Sequence, residues 1–179
     1  MSDIKKDIVK LLETNGLNVT KQETVILLSM ATESYQNKND EFEMPLLITT
    51  TKGDHIIMVI VPFAYILNDD MNIAVLHEFF MFQNVQNSMV KFGFDTNDGE
   101  IQLRVDLIAT NPLNYDHFKM AFKALHQVLE SIHEDVVSLM AVRPTFDKEE
   151  KQKTDKILNN VLNEEDTQEE PSEDGDLWL

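Results

Sequence analysis

Cysteine is missing from this sequence altogether, which rules out disulfides, thiolate nucleophiles and cysteine-ligated metals and leaves the fold to be held by its core. Such a composition suits a reducing cytosol. Glycine is almost as scarce, at five in 179 residues. There is no dinucleotide-binding GxGxxG, no P-loop and no GxSxG elbow, so phosphate-cradling turns and nucleophile elbows have little to be built from. Positive charge is the third shortage: 15 Lys and Arg stand against 32 Asp and Glu, a net charge of −17. Eight of those acids (Glu164, Glu165, Asp166, Glu169, Glu170, Glu173, Asp174, Asp176) fall in residues 164–179 without a single base, which leaves −9 for the rest. A surface of this sign repels phosphate backbones and anionic lipid, so neither nucleic acid nor membrane is expected as a direct partner. The most apolar stretch, residues 55–67, is too short to span a bilayer and contains Pro62. The start Met1-Ser2-Asp3 lacks the basic segment and apolar run of an export signal. The expectation is a soluble cytoplasmic protein.

What the chain does contain is organised around residues 91–140. Phe92 and Phe94 lead into the turn Asn97-Asp98-Gly99, after which Ile101, Leu103, Val105 and Leu107 alternate with Gln102, Arg104 and Asp106. This is the two-residue period of a half-buried strand, and together the segments predict a β-hairpin. Phe118, Phe122, Leu125, Leu129, Ile132, Val136 and Leu139 then recur every three or four residues, the stripe of a long amphipathic helix. Asn114 is placed to cap it, Leu113 and Phe118 can staple its entry, and Pro144 marks its far limit. A hairpin with one greasy face needs a cover, and this helix supplies one.

Upstream, residues 2–15 place Ile4, Ile8, Leu11 and Leu12 on one helical face, and Gly16 is suited to end that helix in a left-handed conformation. Residues 22–32 read as a strand, and residues 44–51 and 55–61 as a hairpin about Lys52-Gly53-Asp54, with Pro62 closing its second strand. From Asn68 the period changes. Asn68 or Asp70 can cap a helix carrying Asp69 in its first turn, and Val75, Leu76, Phe79, Phe80 and Phe82 form a broad apolar surface that predicts a deeply seated helix. The run Phe79-Phe80-Met81-Phe82 fits either core packing, the commoner use, or an adaptable apolar groove. At the far end, Asp147 with Glu150 has capping-box spacing, and Ile157, Leu158, Val161 and Leu162 share one stripe. Residues 147–163 are therefore expected to form a helix that packs on the domain or docks on a partner.

Among ionisable residues, His126 and His133 lie seven apart with Glu130 between them. A zinc hydrolase needs HExxH spacing, which is absent, and the expected place of this polar face is solvent. No catalytic residue, metal or cofactor is expected. The pointed feature is the terminus, where Asp174, Asp176, Leu177, Trp178 and Leu179 put the only tryptophan at the end of an acidic, disorder-prone arm. An aromatic anchor with a charged flank is an interface device, although such a tail can equally serve only to solubilise.

The helix before residue 90, the segment Val90-Lys91-Phe92-Gly93-Phe94-Asp95, the turn Asn97-Asp98-Gly99-Glu100, strand 101–107 and helix 114–140 resemble the class I type III secretion chaperone fold, and more closely the YbjN-like proteins that share it. The resemblance spans residues 1–142. It implies an α+β, two-layer domain of order α-β-β-β-α-β-β-α with an antiparallel sheet, often dimeric, that binds an extended polypeptide without chemistry. Residues 143–163 and the acidic arm 164–179 lie beyond it. The function expected is a non-enzymatic protein-binding module, chaperone-like or adaptor, using the sheet edge or apolar face and the tail. The alternative is an accessory subunit of a nucleic-acid-processing or defence machine that docks protein partners through a terminus similar to the acidic, aromatic-ended tails of single-stranded DNA-binding proteins. Deleting Leu177, Trp178 and Leu179 is expected to lower recovery of a protein partner in pulldown; unchanged recovery removes the docking role of the tail.

Overall fold

Two apolar periods alternate along the chain, three to four residues where helices form and two where strands form, and the computed structural model follows them. It describes residues 3–141 apart from Asp69 and Thr96. The expected 147–163 helix and the Leu177-Trp178-Leu179 terminus lie outside the described residues. The elements are α1 (Asp3–Thr14), β1 (Thr20–Lys21), β2 (Ile26–Ala31), β3 (Glu43–Thr50), β4 (Ile56–Ile66), α2 (Ile73–Gln86), β5 (Lys91–Asp95), β6 (Glu100–Ile108) and α3 (Tyr115–Met140). The strands form one six-stranded sheet of order β1-β2-β3-β4-β6-β5, antiparallel at every pairing.

Alternation sorts the strand residues onto two faces. Ile26 and Leu28, then Met44, Leu46 and Ile48, then Ile57, Val59 and Val61, then Ile101, Leu103, Val105 and Leu107 are all buried. The three helices add Ile8, Val9 and Leu12, then Leu76 and Phe80, then Phe118, Ala121, Phe122, Leu125, Leu129, Ile132 and Val136 to the same core. The result is the expected two-layer α+β arrangement, with helices over one face of the sheet. On the other face Leu27, Leu47, Ile60 and Arg104 pair in a row across four strands and stay partly accessible. Six of the seven residues of the anticipated α3 stripe are buried, and only Leu139 is half-exposed. Truncating one of the buried ones, such as Leu129, removes about 2–5 kcal/mol by the usual core deletion cost.

Four details differ from the sequence reading. Of the segment expected as one strand over 22–32 only β2 is strand; it begins with a tight turn in which Gln22 N–H donates to the Val25 carbonyl at 3.0 Å, and this turn folds β2 back onto the preceding β1. Pro62 does not close β4. The ladder to β6 runs from Ile56↔Ile108 to Val61↔Leu103 and resumes at Tyr65↔Ile101, so β4 bulges at Pro62, Phe63 and Ala64. Pairing with β3 has already stopped at Ile60, so Pro62 sits where that neighbour asks for no donor, and the bulge puts Phe63 at φ 48 with its N–H on Glu100 Oε1 at 2.9 Å. The cap of α2 is Asn72, whose side chain accepts from Val75 N–H at 3.3 Å, while Asn68 holds the turn before it by accepting from Asp70 N–H. Last, α2 is not deeply seated, since only Leu76 and Phe80 are buried on it.

The two expected glycine positions are realised with different stakes. Gly16 ends α1 at φ 81, where Leu17 N–H reaches the Leu12 carbonyl at 3.1 Å, and a Cβ there would meet open space. Gly99 turns the β5–β6 hairpin at φ 73 with its carbonyl accepting from Leu67 N–H at 2.9 Å. A Cβ at Gly99 would stand 2.2 Å from the Leu67 carbonyl oxygen, a backbone atom that cannot step aside alone. Gly16→Ala is expected to cost about 1 kcal/mol, the ordinary left-handed penalty, and Gly99→Ala about 2–3 kcal/mol or more, both read from urea unfolding. Equal costs at the two positions contradict the close approach.

Candidate functional site

The cap at Asn72 and the first turn after it start a helix with apolar residues on every side, interspersed with His77, Glu78, Gln83, Asn84 and Gln86, and without a single Lys or Arg from residue 67 to 90. Helices of this kind normally disappear into a core. Here Val75 is 39% exposed, Phe82 57%, Met81 70% and Val85 80%. Leu76 and Phe80 face the sheet, so the helix has spent its inward side and still carries a second apolar side facing water. The exposed Glu78 stands among Val75, Met81, Phe82 and Val85, so this outward side is an apolar patch around one carboxylate, and large exposed apolar side chains grouped in this way mark a contact surface. The groove reading of Phe79-Phe80-Met81-Phe82 thus divides by residue: Phe80 is core, Phe79 is half-buried, and Met81 and Phe82 are on the surface.

Beside this face lies β5, the terminal strand of the sheet. Its main chain is not left open at Phe92. Asn84 of α2 accepts from Phe92 N–H through Oδ1 at 2.7 Å and donates to the Phe92 carbonyl through Nδ2 at 3.1 Å, the two bonds that a neighbouring strand would make. Lys91 Nζ donates to the carbonyls of Asn84 and Asn87 at 2.9 and 2.7 Å, satisfying orphan acceptors at the end of α2. Addition of an extended segment to this edge, one of the modes expected from sequence, is therefore obstructed at Phe92. Between α2 and β5 remains a cleft of about 190 Å³ lined by His77, Phe80, Met81, Asn84, Phe92, Phe94 and Ile101 among others. The His77 ring meets Phe94 edge-on at 4.3 Å between centroids, and His77 Nε2 is buried with no hydrogen-bond partner among the described residues.

The polar face of α3 is engaged, not solvated. Glu130 accepts from the backbone N–H groups of Glu33 at 2.7 Å, Ser34 at 2.8 Å and Tyr35 at 3.3 Å, all in the loop between β2 and β3. His126 Nε2 stands 3.8 Å from Glu130 Oε1 and 3.2 Å from the Ala31 carbonyl. Burial alone would raise the Glu130 carboxyl, but the three N–H donors together with His126 outweigh it and hold it below its ordinary value. The loop so fixed delivers Tyr35 into the core, where its hydroxyl donates to the Ala64 carbonyl at 3.2 Å and its ring meets those of Tyr65 and His133 edge-on. Tyr65 Oη lies 3.4 Å from His133 Nδ1. Burial pushes the Tyr35 phenol up to about 12 and the Tyr65 phenol higher still, and it pushes His133 down against the pull of Glu130 and Glu134. All three are thus neutral at pH 7, and together with Glu130 they form a clamp on the loop. The spacing of His126, Glu130 and His133 on α3 was visible in the sequence, but their partners lie roughly 70 to 100 residues away and were not.

The site residues anticipated from sequence, Asp174, Asp176, Leu177, Trp178, Leu179, Ile157, Leu158, Val161 and Leu162, lie outside the described residues. Reading along the chain missed Asn84, whose role depends on where Phe92 falls, and missed the exposure of Val85. The available signal was the lack of any polar side in residues 73–86. Among the described residues no three His, Asp or Glu side chains gather as they would around a metal ion, and no helix is long and apolar enough to cross a membrane.

These elements define the class: an α+β domain in which three helices cover one face of a six-stranded antiparallel sheet. The fold is YbjN-like. The crystal structure of YbjN from E. coli, a protein provisionally described as a transcription regulator, matches it with a TM-score of 0.55 at 11% sequence identity, over 73% of this chain and 92% of that one. No protein-family model matches the sequence, and no curated protein matches it.

The Glu130 clamp has a pH signature. A carboxyl held below its unfolded value of about 4.5 contributes stability that is fully present above that pH and is lost as the pH falls through the lower, folded value. Glu130→Gln is expected to be less stable than the wild type by about 1 kcal/mol at pH 7, the usual net worth of hydrogen bonds whose donors water can reach, with the gap narrowing below pH 4.5 in urea unfolding. A gap constant from pH 7 to pH 3 is incompatible with the clamp.

Proposed function

We propose that this protein is a non-enzymatic polypeptide-binding module, chaperone-like or adaptor in kind, that works in the cytoplasm and meets its partner through the outer side of α2. The observation that carries this reading is the apolar side formed by Val75, Met81, Phe82 and Val85 on a helix already anchored by Leu76 and Phe80. Burying one such side chain against a partner gains roughly 1.5–3 kcal/mol, so a few of them suffice for micromolar association once the cost of docking is met. A second copy of the chain is one occupant that this face suits, as a homodimer. The acidic arm and its Leu177-Trp178-Leu179 end fit a second, weaker contact that raises local concentration. The description of YbjN as a transcription regulator favours a second reading. In it the chain acts on a nucleic-acid-processing machine through protein contacts, since its charge disfavours direct binding to the nucleic acid.

The test is a double substitution, Phe82→Glu with Val85→Glu, in the full chain. Both side chains are on the surface, so the unfolding midpoint is expected to hold within about 0.5 kcal/mol, as for other surface changes. In size-exclusion chromatography with light scattering the wild type is expected to elute as an assembly, with itself or with a co-purified protein, and the variant as a monomer. Identical masses for the two proteins discard the α2 surface as the docking side.

A further inference from the structure

We infer that the notch between β3 and β4 is a pocket for one arginine side chain of a partner polypeptide, held against the ring of Phe63. The inference rests on the polypeptide-binding reading, not on α2, and adds what the partner must present. The notch exists because the β3–β4 ladder stops early. Thr51 N–H donates to the Ile56 carbonyl at 3.0 Å, and every second pair after it, Thr49 with Met58 and then Leu47 with Ile60, stands at the same bonded position of the register. Two residues further on, that register would set Pro45 against Pro62, and neither has an N–H to give. The pairing ends there, and the hollow beside it, about 280 Å³, is bordered by both prolines, Phe63, Lys38, Glu41 and Glu43 among others. A cavity of about 150 Å³ already holds benzene, a planar group larger than guanidinium.

The lining is rich in acceptors. The backbone of each proline has only a carbonyl to present. Glu43 is exposed, and Glu41 is set in place by Asn37 and Asn39, whose side-chain amides donate to its Oε2 at 3.0 and 3.5 Å. Of the bordering side chains only Lys38 is cationic, and its Nζ stands over the Phe63 ring, 4.3 Å from the centroid. The molecule thus already carries a positive charge on that ring, as the negative face of an aromatic favours. The ring is kept there under strain: Phe63 has φ 48, a rare conformation for a side chain of this size, although it is only half-buried and outside the core. An exposed ammonium on phenylalanine is weakly held. Lys38 also borders the adjoining hollow of about 340 Å³, where Asp40 stands, so a displaced ammonium has an acid to turn to. A partner lysine would only repeat what Lys38 does. The planar fork of arginine instead lies flat on a ring and carries five N–H donors to surrounding carbonyls and carboxylates.

The probes are the peptide Ac-Gly-Ser-Leu-Arg-Ser-Gly-amide, its twins with citrulline or Lys in place of Arg, and methylguanidinium alone, each titrated into the full-length protein. Binding is followed by the side-chain amide resonances of Asn37 and Asn39 and the ring resonances of Phe63. The arginine peptide is expected to bind about tenfold more tightly than the citrulline twin, which keeps the shape and loses the charge, as hydrogen bonds from a charged group predict. It is also expected to outbind the lysine twin. Lys38→Met, which clears the ring of its own cation, is expected to raise the affinity for arginine about two- to fivefold, the size of one exposed cation–π contact. Phe63→Gly, which suits φ 48 better, is expected to lose the preference for arginine while the urea midpoint holds or rises. Glu41→Gln with Glu43→Gln, both exposed, is expected to weaken arginine binding several-fold and to flatten its dependence on salt. Equal binding of the arginine peptide and either twin, a preference that survives Phe63→Gly, or weaker binding by Lys38→Met overturns the pocket. Methylguanidinium binding without binding of any peptide also overturns it, assigning the notch to a small cation. The two readings fail separately. If Phe82→Glu with Val85→Glu dissolves the assembly while arginine and citrulline bind alike, the α2 surface stands and the notch falls; if arginine is preferred while the assembly is unmoved, the notch stands and the α2 surface falls.

Discussion

Everything in this molecule depends on the contact between the inward row of β6, formed by Ile101, Leu103, Val105 and Leu107, and the apolar stripe of α3. The sheet alternates and the helix repeats every three to four residues, so each element leaves one side that water disfavours, and laying the helix on the strands removes both at once. With no cysteine to cross-link the chain and no buried polar or charged residue among those described, area removed from water is the dominant favourable term. The remaining devices refine that contact without replacing it. Glu130 ties the β2–β3 loop to α3 from the side, and Gly99 lets the β5–β6 turn close against the end of β4.

Against that background α2 is the element whose local and global preferences disagree. Its composition suits a helix surrounded by protein, whereas its place in the fold covers only one side of it. Consistency between local pattern and global burial is the usual rule, and departures concentrate where a protein meets something else. The same helix also supplies Asn84 to the sheet edge and His77 to the cleft, so the apolar side, the guarded edge and the unpartnered imidazole all trace back to fourteen residues.

The architecture was largely legible in the sequence because it is written in periods. The Ile101 to Leu107 alternation, the α3 stripe and the turn glycines each name their own environment without reference to distant residues. What escaped depends on pairing across the fold. Pro62 reads as a strand end until one knows that the β3 ladder has already stopped at Ile60. Glu130 and His126 read as a solvated face until the loop at Glu33 to Tyr35 is placed over them. The α2 residues were recognised as greasy, but greasiness alone does not say which side finds a cover. The features from which the candidate site is built, the exposed side, the cleft and the Asn84 bonds to Phe92, are thus properties of placement and not of composition.

The amide of Asn84 carries one more consequence. Sheets that end in a bare strand tend to run on into the sheet of the next molecule, producing ribbons that grow without limit, and a protein with an adhesive helix beside such an end is at special risk. By filling the two main-chain positions of Phe92 with a side chain from its own helix, the molecule obstructs that route at the end of the sheet that lies beside α2. At that end of the sheet, contact through the outer side of α2 is thereby separated from strand-to-strand growth.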